Sequence, residues 1–412
     1  MTRLKIAPEA RTGDRLFIGL ASAAFVVALV LAVFRRVPGG HRYDLALKLS
    51  LPILVLTWLF RLRPERAFGR TALVVVLLAG LGLGAFNLAT VDRNSEIVNV
   101  YRTVFEALDE GRNPYNCGTI YHRDAGGNVV YGDFNYPPLE MFPYYLARTV
   151  AGTWNSAVLT AAILVINLAA CCLLALALKE IRLRLLIPYL ALIMFAETKT
   201  NPSMTLLVTC LILLLMARLE ARPSRPGRLL LAAAFGLGLA TKFLVIPLAA
   251  VYYWHVLMSE PRRSLRRVLP DGAVVLAVAC LVTAPFGVWT VFRSTVLFNL
   301  FLKERAVMAT FYPNVLSGPL AWLKLESVFP AAAVLVLAAG VLAAPLFQPR
   351  TAMLFAAVAF LMAASTPEPQ FLPVVTALFL ASVLEGKTGE PSFRSGGGGS
   401  ASPPAELVQI HR

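Results

Sequence analysis

Two acids and one lysine stand where charge is expensive. Asp92 and Glu96 sit where an apolar run gives way to a polar one, and Lys242 interrupts the run "GLGLATKFLVIPLAAVYY". A carboxylate held at a bilayer boundary suits a general base, which must take a proton from a bound hydroxyl. Acids at that place also cap a helix and complement its dipole, so a structural role competes with the catalytic one. A lysine within apolar sequence is costly unless its charge is used. Its other outlet is to snorkel to the interface. Lys199, in the polar turn "ETKTNPS", is a second cation near apolar sequence, where a solvated turn is the plainer reading.

The chain around these residues reads as membrane. It has 412 residues, 58% of them hydrophobic, and a mean hydropathy of +0.69. A soluble domain of that size needs far more polar surface, so the class is a polytopic membrane protein. Strand-like alternation over about ten residues is absent, which favours an all-α architecture over a barrel. The formal net charge of +15 comes from clusters between apolar runs. That pattern is a topology signal and not a nucleic-acid surface. The first apolar run lacks a small-residue cleavage site and more runs follow, so it reads as a retained helix. Cys171, Cys172, Cys210 and Cys280 lie in apolar runs and Cys117 stands alone in a polar loop, with no metal-ligand spacing among them.

The apolar runs give about twelve transmembrane helices, near 16–34, 45–62, 72–90, 155–178, 185–197, 202–217, 229–241, 243–258, 270–289, 329–345, 351–365 and 370–384. Several are short for a full crossing, which implies tilt, burial or re-entrance. The loops bearing Arg61 to Arg70, Lys179 to Arg184, Arg218 to Arg228 and Arg262 to Arg267 share one side if the N-terminus is cytoplasmic. That parity requires 137–151 to be re-entrant or interfacial. Residues 1–384 then form one membrane-embedded domain of a multi-pass cell-membrane protein. Residues 385–412, with "SGGGGSASPP", form a flexible cytoplasmic tail. The extracytoplasmic face collects 91–150, 197–203, 240–243, 290–328 and 365–370.

The first large outer loop, 91–150, opens with "SEIVNVYRTVFEALDE". Ile97, Tyr101, Val104, Phe105 and Leu108 fall on one helical face, Asn94 or Ser95 caps the start, and Gly111 ends it. The spacing predicts an amphipathic helix lying on the membrane surface. "GRNPY" (111–115) and "FNYPPLEMFP" (134–143) follow, separated by the longer insert "YHRDAGGNVVYGD". This order of features resembles the polyprenyl-phosphate-sugar-dependent glycosyltransferases of the membrane C-type superfamily, and within it the α-mannosyltransferase branch, glycosyltransferase family 87. Residues 198–253 are similar to that family's "G-Q-x-N, apolar helix, basic loop, G-L-x-x-x-x-K-x-x-P" core, through Asn201, Gly236, Gly238, Lys242 and Pro247. "NVLSGPLAWL" (314–323) resembles its Asn-x-Ser segment, and "STPEPQFLPVV" (365–375) takes the place of its late loop. The chain departs from the family at Glu96, where an Asp is usual, with Asp92 four residues earlier. It departs again at Thr198 and Lys199, which replace Gly-Gln, and at Gln370, where relatives often have His.

The resemblance implies a single displacement that inverts the anomeric centre, with Asp92 or Glu96 as general base. The donor is a polyprenyl-phosphate-linked sugar, mannose by family, and the acceptor a hydroxyl of a glycolipid or glycan. Lys242, and after it Lys199, would stabilise the charge that grows on the lipid-phosphate leaving group. Asn201, Asn314 and Gln370 would contact substrate. Tyr115, Tyr131, Tyr136 and Trp154 offer rings on which a sugar stacks, and each is equally suited to packing or to an interface belt. His122 suits a solvated or structural role. No nucleotide-sugar signature or "D-x-D" is present, so neither cofactor nor metal is expected; the partners are the lipid-linked sugar, the acceptor and membrane lipids, with no nucleic acid. A transporter or flippase of lipid-linked sugars is the rival. It would show internal repeats and polar residues at the bilayer midplane, whereas these gather on one face.

Overall fold

The computed structural model describes residues 96–123, 128–178, 203–259, 261–297, 323–325, 328–363 and 371–388. The expected spans at 16–34, 45–62, 72–90 and 185–197, and the tail, lie outside the described residues. What is described is predominantly helical. Helices α1 (Glu96–Asp109), α2 (Phe142–Ala151) and α3 (Ser156–Ala177) are followed by α4 (Ser203–Ala221), α5 (Arg225–Leu239), α6 (Val245–Ser259) and α7 (Pro261–Thr283). The short α8 (Val288–Phe292) comes next, then α9 (Phe329–Leu342), α10 (Pro349–Ala363) and α11 (Leu372–Thr388). Three stretches among the described residues are long and apolar enough to cross a membrane: Ala157–Ala177, Ser203–Ala221 and Leu265–Phe286. Four further apolar helices are shorter.

The outer loop departs from an all-helical reading. Strands β1 (Ile120–Arg123) and β2 (Val129–Gly132) pair antiparallel, with Tyr121 opposite Tyr131. The insert is therefore a hairpin, and its exposed Val129, Val130 and Tyr131 line one strand. Helix α1 matches its expected extent and ends where Gly111 takes a positive φ of 71°. That left-handed turn lets the Arg112 amide reach the Ala107 carbonyl at 2.8 Å.

The apolar stripe of α1 does not face lipid, contrary to the surface-helix expectation. Tyr101, Val104 and Phe105 are buried against the returning aromatics. The Tyr101 ring stacks on Tyr144 with centroids 3.5 Å apart, and Phe105 meets Trp154 at 5.5 Å. The reason lies in the second half of the loop, whose "FNYPPLEMFPYY" supplies enough aromatic area to cover the stripe with protein. Helix α2 has 10 residues, about 15 Å of rise, well short of the roughly 30 Å hydrocarbon core. By length alone it is too short to cross.

The larger core is built from α3, α4, α5, α6, α10 and α11. Helix α5 approaches α7 closely because Gly236 has no side chain. A Cβ there would lie 2.6 Å from the Val275 carbonyl oxygen, and one at Gly238 would lie 2.4 Å from a Val245 methyl. The glycines of "GLGLATK" thus allow the helix that leads into the Lys242 turn to seat. At the opposite end of the bundle two ion pairs tie helices together. Arg228 Nε donates to Asp271 Oδ1 at 3.0 Å, and Arg350 pairs with Glu220. Of the two arginines, Arg228 belongs to a basic loop expected only to set topology.

Gly236→Leu should force α5 off α7. Overpacking of this kind costs about 1–3 kcal/mol, and the check is a lowered melting temperature of the purified protein in detergent.

Candidate functional site

The site is assembled by a backbone contact. Pro137 and Pro138 have no N–H, so Leu139 is the first residue after Tyr136 in the "YPPLE" turn able to donate. Its amide donates to the Ala240 carbonyl at 2.9 Å. That carbonyl lies just past α5, where helical carbonyls lack intrahelical partners. The 3-10 turn Pro138–Met141 is thereby pinned to the α5–α6 turn. The α5–α6 turn is itself held by Thr241, whose amide and hydroxyl both donate to the Gly238 carbonyl, the hydroxyl at 2.7 Å.

This pinning buries two ionisable groups near each other. Glu140, next in the turn, is 0% exposed, and Lys242, two residues past Ala240, is 7% exposed. Thr205, on the first turn of α4, donates its hydroxyl to Glu140 Oε1 at 3.1 Å. Glu140 Oε2 has no partner. The Lys242 ammonium lies 4.1 Å from the centre of the Tyr136 ring and 6.0 Å from that of Phe371. A cation over an aromatic face is favourable, more so when desolvated. Lys242 and Glu140 feel each other's charge without forming a direct ion pair. Burial pushes the Glu140 carboxyl up to about 8, with the Lys242 ammonium and the Thr205 hydroxyl pulling back. Tyr144 completes the wall. Its hydroxyl is buried without a partner, and burial, reinforced by Glu140 and Tyr136, holds it neutral well above the usual phenol range.

Of the residues singled out in the sequence, Lys242 and Tyr136 are brought together here. Phe371, from the late segment, lies at the same end. Gln370, Asp92, Lys199, Asn201 and Asn314 lie outside the described residues. Glu96 is the first residue of α1, and its backbone alone is described. Tyr115 is not a sugar contact. It is wholly buried, and its hydroxyl donates to the Tyr136 carbonyl at 2.8 Å. Its ring packs edge-on against Phe134 and Phe286, so no face is left for a substrate. Trp154 packs between Phe105 and Tyr144, and Tyr131 is exposed on the hairpin. His122 lies against the Asp133 carbonyl at 2.9 Å, a structural role.

Three residues escaped the sequence reading: Glu140, Tyr144 and Thr205. Glu140 carried a signal of the same kind as Lys242, a lone charge inside the apolar segment "PPLEMFP". Thr205 gave none, because a threonine early in an apolar helix is unremarkable until its neighbour is known. No family model, curated protein or solved structure matches the chain.

Thr205→Val keeps the shape and removes the one hydrogen bond to the Glu140 carboxyl among the described residues. The loss should cost about 1–3 kcal/mol, as for other buried polar groups left unsatisfied. Denaturation of the variant against the parent measures it.

Proposed function

We propose that this chain is an integral membrane glycosyltransferase that moves a sugar from a polyprenyl-phosphate carrier to a hydroxyl of a cell-envelope glycolipid or glycan. One observation carries the reading. Lys242 is a buried cation with no anionic side chain paired to it among the described residues, held against Tyr136 at one end of the helical bundle. A charge kept in that state is expensive, and an anionic ligand is what repays it. The lipid phosphate meets that need: its negative charge grows as the glycosidic bond breaks, and an ammonium in a dry site stabilises that growth.

The remaining roles follow from the resemblance and from chemistry. Asp92 or Glu96 takes the proton from the acceptor hydroxyl, whose oxygen attacks the anomeric carbon as the lipid phosphate leaves with the bonding electrons. Configuration is inverted. Lys199 is a second cation for the phosphate, and Asn201, Asn314 and Gln370 are polar contacts to the sugar. Tyr136 remains an aromatic contact through whatever part of its ring Lys242 leaves open, whereas Tyr115 drops out. The reaction takes place on the extracytoplasmic side, with mannose as the first donor to test. Clustering of the polar groups at one end of the bundle favours this reading over the transporter.

Transfer is measured in membranes supplied with polyprenyl-phosphate-mannose and an envelope acceptor. Lys242→Met should lower the rate about 100-fold or more, the scale of a lost charge-stabilising donor. Asp92→Asn or Glu96→Gln should lower it by a similar factor, and whichever does so is the base. Parental rates in both acid variants would remove the base assignment. A parent that transfers no lipid-linked sugar would remove the function.

A further inference from the structure

We propose that Glu140 enters this site as a neutral acid and donates a hydrogen bond from its Oε2–H to a phosphodiester oxygen held by Lys242, so that its ionisation shuts the anion out. The inference rests on the reading of Lys242 as the lipid-phosphate site and adds to it a second binding group and a pH gate.

The geometry is that of a donor-rich site lacking an acceptor. Glu140 Oε1 already accepts from Thr205, and Oε2 has no partner. The Tyr144 hydroxyl is likewise buried without one. Lys242 offers its ammonium to a ring face and not to the carboxyl nearby. An ionised Glu140 this close to a lysine would be expected to draw it into a direct ion pair, because both charges are desolvated. A protonated carboxyl has no such pull, and an unpartnered neutral O–H costs far less than an unpartnered carboxylate oxygen. The cation is then left for a ligand. A phosphodiester supplies the missing acceptors: one oxygen for the Lys242 ammonium, another within the same group for Glu140.

When Glu140 loses its proton to solvent, both terms reverse. The donor becomes a second anion beside the phosphate, and Lys242 gains an internal counter-ion. No other charged side chain among the described residues faces Glu140. The α5–α6 turn contributes Lys242, α4 contributes Thr205, α2 contributes Tyr144, and the approach to the turn contributes Tyr136. Helix α7 also packs against the turn; Asp271 on it is paired with Arg228, and Cys280 is exposed.

The test is binding of polyprenyl-phosphate-mannose to the full chain in lipid nanodiscs without acceptor. This phosphodiester does not titrate over the range used. Protonated Glu140 favours binding, so affinity should be highest below its ionisation and fall as pH rises through it. With ionisation near pH 8, the loss between about pH 7 and about pH 9 should be about tenfold. Glu140→Gln, which keeps an N–H donor but cannot ionise, should abolish that slope whatever its absolute affinity. Should that variant fail to fold, calorimetry of the parent in two buffers of different ionisation enthalpy reads the same linkage. Proton uptake per lipid bound should rise from near zero at about pH 6.5 to near one at about pH 9. A flat parental profile, absent uptake at the higher pH, or a parallel fall in Glu140→Gln overturns the gate while leaving Lys242 as the phosphate site. A parent that binds no lipid-linked phosphate at any pH overturns the site and the gate together.

Discussion

Burial of Lys242 and Glu140 at one end of the bundle is the constraint on which the rest of this structure depends. Two ionisable groups taken from water on separate segments are tolerated only if each is neutralised, solvated by protein dipoles or offered a ligand. Each neighbouring element contributes to one of those ends. The proline pair in "YPPLE" leaves Leu139 to bond the Ala240 carbonyl, which sets Glu140 against α4. The glycines of α5 let the Lys242 turn come close to α7 and to the start of α6. Tyr136 and Phe371, from segments far apart in sequence, present rings to the ammonium. Remove the backbone bond at Leu139 and the acid and the cation have no reason to share a site.

The outer loop is fixed to the bundle on a second line as well. Asn113 donates its amide to the Phe286 carbonyl at 2.7 Å, and Ser294 donates its hydroxyl to the Tyr115 carbonyl at 2.7 Å. The "RNPY" turn is therefore tied to the segment that leaves α7, while "YPPLE" is tied to the segment that leaves α5. Between the ties lies a core of Tyr101, Tyr115, Phe134 and Tyr144, stacked and edge-packed. Such a loop is a rigid roof and not a tether. For the proposed transfer such rigidity would matter, because electrostatic stabilisation of a developing charge depends on donors that need not reorganise.

Much of this was legible in the sequence, and the exceptions have physical reasons. Lys242 stood out because a charge in an apolar run is conspicuous whatever the fold. The extent of α1 was readable from its periodicity and from Gly111, since local chemistry decides both. The destination of its apolar face was not, because lipid and aromatic protein look alike to a hydrophobic stripe. Tyr115 was misjudged for a related reason: a tyrosine's type says nothing about which neighbours cover its ring. Glu140 is less conspicuous among the prolines and tyrosines around it, although the cost argument that marks Lys242 applies to it equally. The hairpin was left open because "YHRDAGGNVVYGD" mixes alternation with polar residues, and strand pairing is settled by tertiary contacts more than by local propensity.

The two ends of the bundle separate charges that hold the fold from charges held for use. At the end carrying the basic loops, Arg228 meets Asp271 and Arg350 meets Glu220, so each arginine has its counter-ion within the protein. Their attraction is spent on joining helices, and nothing remains for a ligand beyond what the pairs release. At the other end Lys242 and Glu140 are more deeply buried as a pair and yet unjoined, with one carboxyl oxygen and one phenol lacking partners. The two groups sense each other, yet the ammonium rests on the Tyr136 ring, as a neutral Glu140 allows. A fold selected for stability alone would close that gap by pairing the charges or by replacing both with apolar side chains, which is often neutral or favourable. Keeping them apart is what the proposed anionic ligand would account for, since among the described residues the cation has no counter-ion.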